Sequence, residues 1–380
     1  MARKLHLDIG INGAFLTRRW EEPDNFMRLT RELGYEYHEF CGDVLDPFFS
    51  GDRDYQLATA AAIKDAARRH GVTITDIYTG VATHRFHGLS HRDASARDRM
   101  KQWILDCMDL ALAMGTDRIG GHWDAFSVET LSDPARTEWA FCNIYRTFRE
   151  IAAAAAEKGI AAVYNEQMYI PSEIPWTLRQ AEEFLVEVNR PDVGQAPHST
   201  SSGQAPPVIP RDGNGCASTA GGPFGRLPST PLGTGRTSGG VTRAPVYLTI
   251  DVGHMAGEHY GLSEPDTDYV AWVERFAAFA EIIHVQQTTR DASHHWPFTP
   301  EYNERGHVRI EKVLAAIERS HKAAAAASVA DVLAPVERTY LIAEIIPGST
   351  KAEEKLLEEL AQSAQYLRQF VPKGGVDLTF

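Results

Sequence analysis

Cysteine is scarce in this 380-residue chain, with only Cys41, Cys107, Cys142 and Cys216, and none of them sits at a paired spacing. That argues against a disulfide framework and against a thiolate zinc site, and predicts reduced thiols in a reducing compartment. Long apolar runs are missing too. No stretch approaches eighteen consecutive apolar residues, and the opening MARKLHLDIGING passes straight into a strand-like run, so neither a membrane span nor a leader is expected. Positive charge is in deficit: 38 Lys and Arg against 51 Asp and Glu give a formal charge of −13. A groove tracking phosphates would have to be built against that field, so nucleic acid is not an expected partner. The expectation is a cytoplasmic protein, and its 43% apolar content is enough for one full-sized core.

What is present is alternation. Short β-rich runs occur at LHLDIGIN (5–12), YEYHEF (35–40), VTITDIYTG (72–80), RIGGHW (118–123), AAVYNEQ (161–167), VYLTIDVGH (246–254), IIHVQQT (282–288) and TYLIAEII (339–346). Between them lie segments of helical period that end in glycine, such as DYQLATAAAIKDAARRHG and WAFCNIYRTFREIAAAAAEKG. The last, STKAEEKLLEELAQSAQYLRQFV, opens with Ser or Thr as a cap. Eight strands each followed by a helix predict a single-domain (β/α)8 TIM barrel over 1–380. No Gly-rich dinucleotide fingerprint follows the first strand to favour an open sheet.

One stretch breaks the pattern. Residues 190–244 are rich in Pro, Gly, Ser and Thr and nearly free of aromatics, a composition that buries too little apolar area to offset ordering entropy. It is expected to be a disordered insertion before the sixth strand, hanging from the bottom of the barrel and dispensable for catalysis.

In such a barrel the chemistry comes from the C-terminal ends of the strands. Glu166 ends the fifth strand, Asp251 and His254 the sixth, and His284, Gln286 and Gln287 the seventh. Glu344 lies inside an otherwise apolar eighth strand. An ionised carboxylate buried there costs several kcal/mol unless a cation pairs with it. A lone acid at a strand end is more often a cap or a salt-bridge partner, but three of them on three strands reverse those odds. Carboxylates with an oxygen or imidazole donor and no thiolate describe one divalent ion, with Mn2+ favoured and Mg2+ or Co2+ as alternatives. Glu166 and Glu344 are then placed for two-base proton transfer.

A glutamate on strand five, DVGH on six, a His-containing strand seven and a glutamate in an apolar strand eight resemble the xylose isomerase-like TIM-barrel superfamily. The likeness is to its sugar isomerase and epimerase branch, in particular ketose 3-epimerases, and it covers nearly all the chain but the insertion. It implies metal ligation by Glu166, Asp251 and Glu344, with Glu166 and Glu344 exchanging a proton at the carbon beside the carbonyl through a metal-stabilised enediolate. His254 matches a histidine that touches substrate hydroxyls. Strand seven departs from the usual His-x-His: HVQQ puts Gln286 in the ligand position and leaves His284 beside the substrate. Arg290, in the loop TTRDASHHWPFTPEYNERG, matches a substrate-covering loop.

His122 and Trp123 after the fourth strand are further candidates to line the sugar pocket, ahead of His84, Arg85 and His87 after the third. Glu39 reads either as a pocket residue or as a paired acid, and Phe15, Trp20 and Phe48 as an apolar wall. The expected function is isomerisation or epimerisation of a small ketose or aldose, with a sugar as partner and a homo-oligomer, dimer or tetramer, compatible with it. The alternatives are a metal-assisted dehydratase of a polyol or sugar acid, which uses the same constellation, and an endonuclease IV-like hydrolase. The latter needs several zinc ions and a basic groove, which the acidic charge disfavours.

Overall fold

The computed structural model describes residues 3–78, 87–191 and 242–380. Eight parallel strands close into a barrel: β1 Lys4–Asn12, β2 Tyr37–Cys41, β3 Thr73–Tyr78, β4 Arg118–Gly120, β5 Ala162–Glu166, β6 Val246–Asp251, β7 Ile282–Val285 and β8 Arg338–Ala343. β1 closes the ring, pairing along His6 to Ile11 with β8 and from Gly10 to Asn12 with β2. Because β2 meets only the upper end of β1, the lower half of β1 would keep an unpaired edge. A ninth strand, β9 Val376–Thr379, covers that edge antiparallel from Lys4 to Leu7. The sequence reading did not foresee it.

Helices α1 Pro23–Glu32, α2 Arg53–His70, α3 Ala94–Met114, α4 Val128–Leu131, α5 Pro134–Lys158, α6 Leu178–Asn189, α7 Tyr269–Phe276, α8 Pro300–Arg305, α9 Ile310–Ala323 and α10 Glu353–Leu367 form the outer layer. α2, α3 and α5 stop at Gly71, Gly115 and Gly159, each left-handed with φ of 64°, 88° and 92°, as the glycine signals predict. The Ser or Thr cap expected for the last helix is not used. α10 starts later, behind Ala352, which offers no capping side chain. Among the described cysteines Cys41 and Cys107 are free and buried. Among the described residues no helix is long and apolar enough to cross a membrane.

Apart from its ends, the segment read as an insertion lies outside the described residues, as do His84 and Arg85. Its two ends are stitched together. Asn189 donates from Nδ2 to the Val246 carbonyl at 2.8 Å and accepts the Val246 N–H at 2.9 Å, and Arg243 donates to the Arg190 carbonyl at 3.1 Å.

The two faces of the barrel wall differ in chemistry. Leu5, Leu7, Ile9 and Ile11 of β1, all fully buried, alternate with His6, Asp8, Gly10 and Asn12, the period of a strand with apolar residues on one face. The apolar set joins Ile63, Met108, Ala111 and Ile317 in the core cluster. The other set fills the barrel interior, where a side chain at Gly120 would meet Tyr164 Cβ at 2.8 Å and Tyr78 Cε2 at 2.9 Å. That glycine makes room for two tyrosines below the mouth.

His38, on β2, is fully buried against α1, with Nδ1 2.9 Å from Thr30 Oγ1. Burial lowers its pKa from 6.5 to about 3. The folded state therefore holds a neutral ring while the unfolded chain takes up a proton below pH 6.5, so stability is lost as pH falls through that window. His38→Gln removes this proton uptake. Between pH 7 and pH 5 its unfolding free energy in urea should fall by about 2 kcal/mol less than that of the unsubstituted protein.

Candidate metal centre

Strand register sets the site. Glu39 pairs with Asn12 across β2 and β1, Glu166 with Thr249 across β5 and β6, and Asp251 with His284 across β6 and β7. Paired residues in a parallel sheet point to the same face, so these side chains all enter the barrel near its C-terminal mouth. Donor atoms of Glu166, Asp251, His284 and Glu344 lie within 4.8 Å of one another, and all four residues are buried. The three acids expected to share an ion are thus brought together from three strands.

The fourth member differs from the expectation. Gln286 does not offer its oxygen to the cluster: Oε1 accepts the His295 N–H at 2.5 Å, while Nε2 donates to Asp251 Oδ2 at 2.9 Å and Oδ1 at 3.1 Å. The backbone donor fixes which end of the amide is which. The Gln286 N–H2 therefore holds Asp251 in place, and the imidazole of His284 takes the position assigned to the amide.

His284 is fully buried among acids. Nδ1 lies 3.2 Å from Glu166 Oε1 and 3.3 Å from Glu344 Oε2, and Nε2 lies 3.0 Å from both Glu39 oxygens. Its ring is edge-on to Tyr78, 4.7 Å between centroids. Glu344 Oε2 has no well-aligned hydrogen bond, although the Nδ1 atoms of His284 and His295 are each 3.3 Å away. His254 Nε2 is 3.3 Å from Asp251 Oδ2, and its Nδ1 donates to the Gln167 carbonyl at 2.9 Å. Gln167 in turn accepts the Asp251 N–H and donates to the Asp251 and His254 carbonyls, so one amide side chain clamps the DVGH turn.

Burial pushes every one of these carboxyls up, and the histidines decide which yield. Glu166 is nonetheless held below its ordinary value by the His284 hydrogen bond and the His254 charge, and Glu344 well below by His284 and His295. For Asp251 and Glu39 burial prevails over the histidines and the pKa is raised. Burial disfavours the His284 cation, but the charges of Glu344 and Glu39 overcome it and hold its pKa well above 6.5.

Four hard or borderline donors, a buried carboxylate oxygen lacking an aligned partner and no thiolate fit a divalent ion that takes oxygen and imidazole ligands.

Other expected residues fall outside the cluster. Arg290 sits at the outer tip of the loop closed by the Gln287 to Trp296 bridge; its side chain is 64% exposed and pairs with Glu264 at 3.4 Å. Trp123 stacks on Phe148 of α5 at 5.5 Å, in the layer between sheet and helices. His122 is buried at the end of β4. His295, which the sequence reading placed only in the loop, reaches Glu344 through a backbone with φ of 49°, a left-handed conformation unusual for histidine. Glu39 stands against the cluster, both its oxygens 3.0 Å from His284 Nε2. Its run YEYHEF also carries Glu36 and His38, so an acid stood out there less than Glu344 did in its apolar strand.

Residues 27–197 match the protein family described as xylose isomerase-like TIM barrel. The chain is similar to a D-erythrulose 1-phosphate 3-epimerase of Brucella abortus (strain 2308), 22% identical over 311 residues, covering 82% of this chain and 83% of that one. Among solved structures, a Rhodospirillum rubrum ATCC 11170 protein provisionally designated a xylose isomerase superposes with a TM-score of 0.71 at 21% identity, covering 96% of this chain and all of the other. D-Psicose 3-epimerase of Clostridium cellulolyticum H10, solved with D-tagatose, gives 0.58 at 14% identity over 96% of this chain and 99% of its own.

The packing of Gln286 generates a test. A Cβ at Gly253 would lie 2.3 Å from Gln286 Cδ, so Gly253→Ala must displace the amide from Asp251. It should cost about 1–3 kcal/mol in urea unfolding. In the Gln286→Ala background the same change should cost far less, a non-additivity that a double-mutant cycle measures.

Proposed function

We propose that this TIM barrel, similar to the xylose isomerase-like family over residues 27–197, is a divalent-metal-dependent epimerase or isomerase of a small sugar. The observation that carries this reading is the convergence of Glu166, Asp251, His284 and Glu344 within 4.8 Å at the barrel mouth. The names of its relatives, which include a ketose phosphate epimerase and a ketose epimerase, point the same way.

In this reading those four residues hold the ion, which replaces Gln286 by His284 in the ligand set expected from sequence. Bound there, a divalent cation would polarise neighbouring carbonyl and hydroxyl oxygens and acidify the C–H between them. Glu166 and Glu344 are the acid and base. Both pKa values are held low, so either carboxylate is available to take a proton at neutral pH. They reach the site from β5 and from the end of β8, with His284 between them. A proton removed by one and returned by the other, on opposite faces of a planar enediolate, inverts the carbon; returned to the neighbouring carbon, it interconverts ketose and aldose. His254, fixed by the Gln167 carbonyl, turns Nε2 towards Asp251 and is assigned to a substrate hydroxyl. Gln286 keeps Asp251 aimed.

The test is turnover of tetroses, pentoses and hexoses, free and phosphorylated, in D2O with Mn2+ and with chelator. Epimerisation should stop with chelator and should place deuterium at the inverted carbon; complete retention of substrate hydrogen would sink proton transfer. Glu166→Gln and Glu344→Gln should each lower kcat by at least about 10²–10⁴-fold, the usual worth of a general acid or base.

A further inference from the structure

We infer that Glu39 is a positioning residue for the metal centre: it fixes the ring tautomer of His284 so that the Nδ1 lone pair, not an N–H, faces Glu166 and Glu344. The inference rests on the metal-dependent reading above. An imidazole serves as a neutral ligand through one nitrogen only if the other carries the proton, and a carboxylate behind the ring is the usual device for putting it there. Glu39 has the required geometry. Both its oxygens lie 3.0 Å from His284 Nε2, on the far side of the ring from Glu166 Oε1 at 3.2 Å and Glu344 Oε2 at 3.3 Å from Nδ1. Both residues are fully buried, out of reach of bulk solvent.

Glu39 is itself held. Asn12 Nδ2 donates to Glu39 Oε2 at 2.5 Å, and Asn12 Oδ1 accepts the Ala14 N–H at 2.7 Å, which orients the amide with its N–H2 towards the carboxylate. Two donors, the Asn12 amide and His284 Nε2–H, thus converge on Glu39, and a carboxylate accepts both. A glutamine offers one oxygen and no charge: with that oxygen in the Oε2 place, its N–H2 stands in the Oε1 place, 3.0 Å from His284 Nε2, where it opposes an N–H. The remedy open to His284 is to move its proton to Nδ1, into the space the ion needs. Glu39→Gln keeps the size and packing of the side chain while reversing this preference.

The experiment is a Mn2+ titration of the full-length protein by calorimetry, with circular dichroism confirming that Glu39→Gln is folded. The expected result is one tight site in the unsubstituted protein and a dissociation constant raised by about 10–100-fold in Glu39→Gln. Equal affinities would overturn the role of Glu39 and leave the function reading intact, whereas an unsubstituted protein that takes up no ion would sink both. Should the variant fail to fold, ¹⁵N NMR of His284 in the zinc-loaded unsubstituted protein decides. A protonated Nε2 with the ion on Nδ1 is expected, and an ion on Nε2 overturns the inference.

Discussion

Around His284 four acids, Glu39, Glu166, Asp251 and Glu344, are buried from water with little positive charge to balance them. Carboxylates withdrawn from water cost several kcal/mol each unless a cation or a set of donors satisfies them. The protein meets that constraint from both sides. Donors fixed by backbone contacts face the outer atoms of the acids: Asn12 for Glu39, Gln286 for Asp251, and the Gly253 N–H for Asp251 Oδ1 at 2.6 Å. The inner atoms, Glu166 Oε1, Glu344 Oε2 and His284 Nδ1, are left facing one another. The outside is closed by hydrogen bonds and the inside is left to a positive charge.

The rest of the barrel is arranged so that this exception is affordable. Outward-facing β1 side chains such as Ile9 and Ile11 join the helices in an extended apolar core, which supplies the stability that the polar interior does not. The small Gly120 lets Tyr78 and Tyr164 fill the interior beneath the site, and Tyr78 supports the ring of His284 edge-on. At the opposite end β9 protects the lower edge of β1, far from the mouth. Stability and chemistry are thus kept at different ends and on different faces of the same strands.

Much of this was legible in the sequence, because a parallel barrel repeats one local rule eight times: an apolar strand, a helix with an apolar stripe, a glycine stop. Glu166, Asp251 and Glu344 stood out for the same reason, as acids where period and composition called for core. The sequence misled where the answer depended on which atom of a side chain faces inward. HVQQ puts His284 and Gln286 on the same face of the barrel wall, and nothing in the string says which one turns a donor atom into the cluster. That depends on the His295 N–H, which occupies the Gln286 oxygen, and on Glu39, which stands behind the imidazole. β9 escaped notice because it has only four residues, and its role is to cover an edge that only the barrel's register creates.

By itself, then, the chain determined the fold class, the end of the barrel that carries chemistry and the acids that gather there. These follow from side-chain alternation and burial cost, which are local properties. Only the tertiary structure decided that His284 completes the cluster and that Glu39 stands directly behind it. Those outcomes depend on hydrogen bonds between residues as far apart in sequence as Glu39 and His284, and no local pattern encodes a contact that only barrel closure brings about.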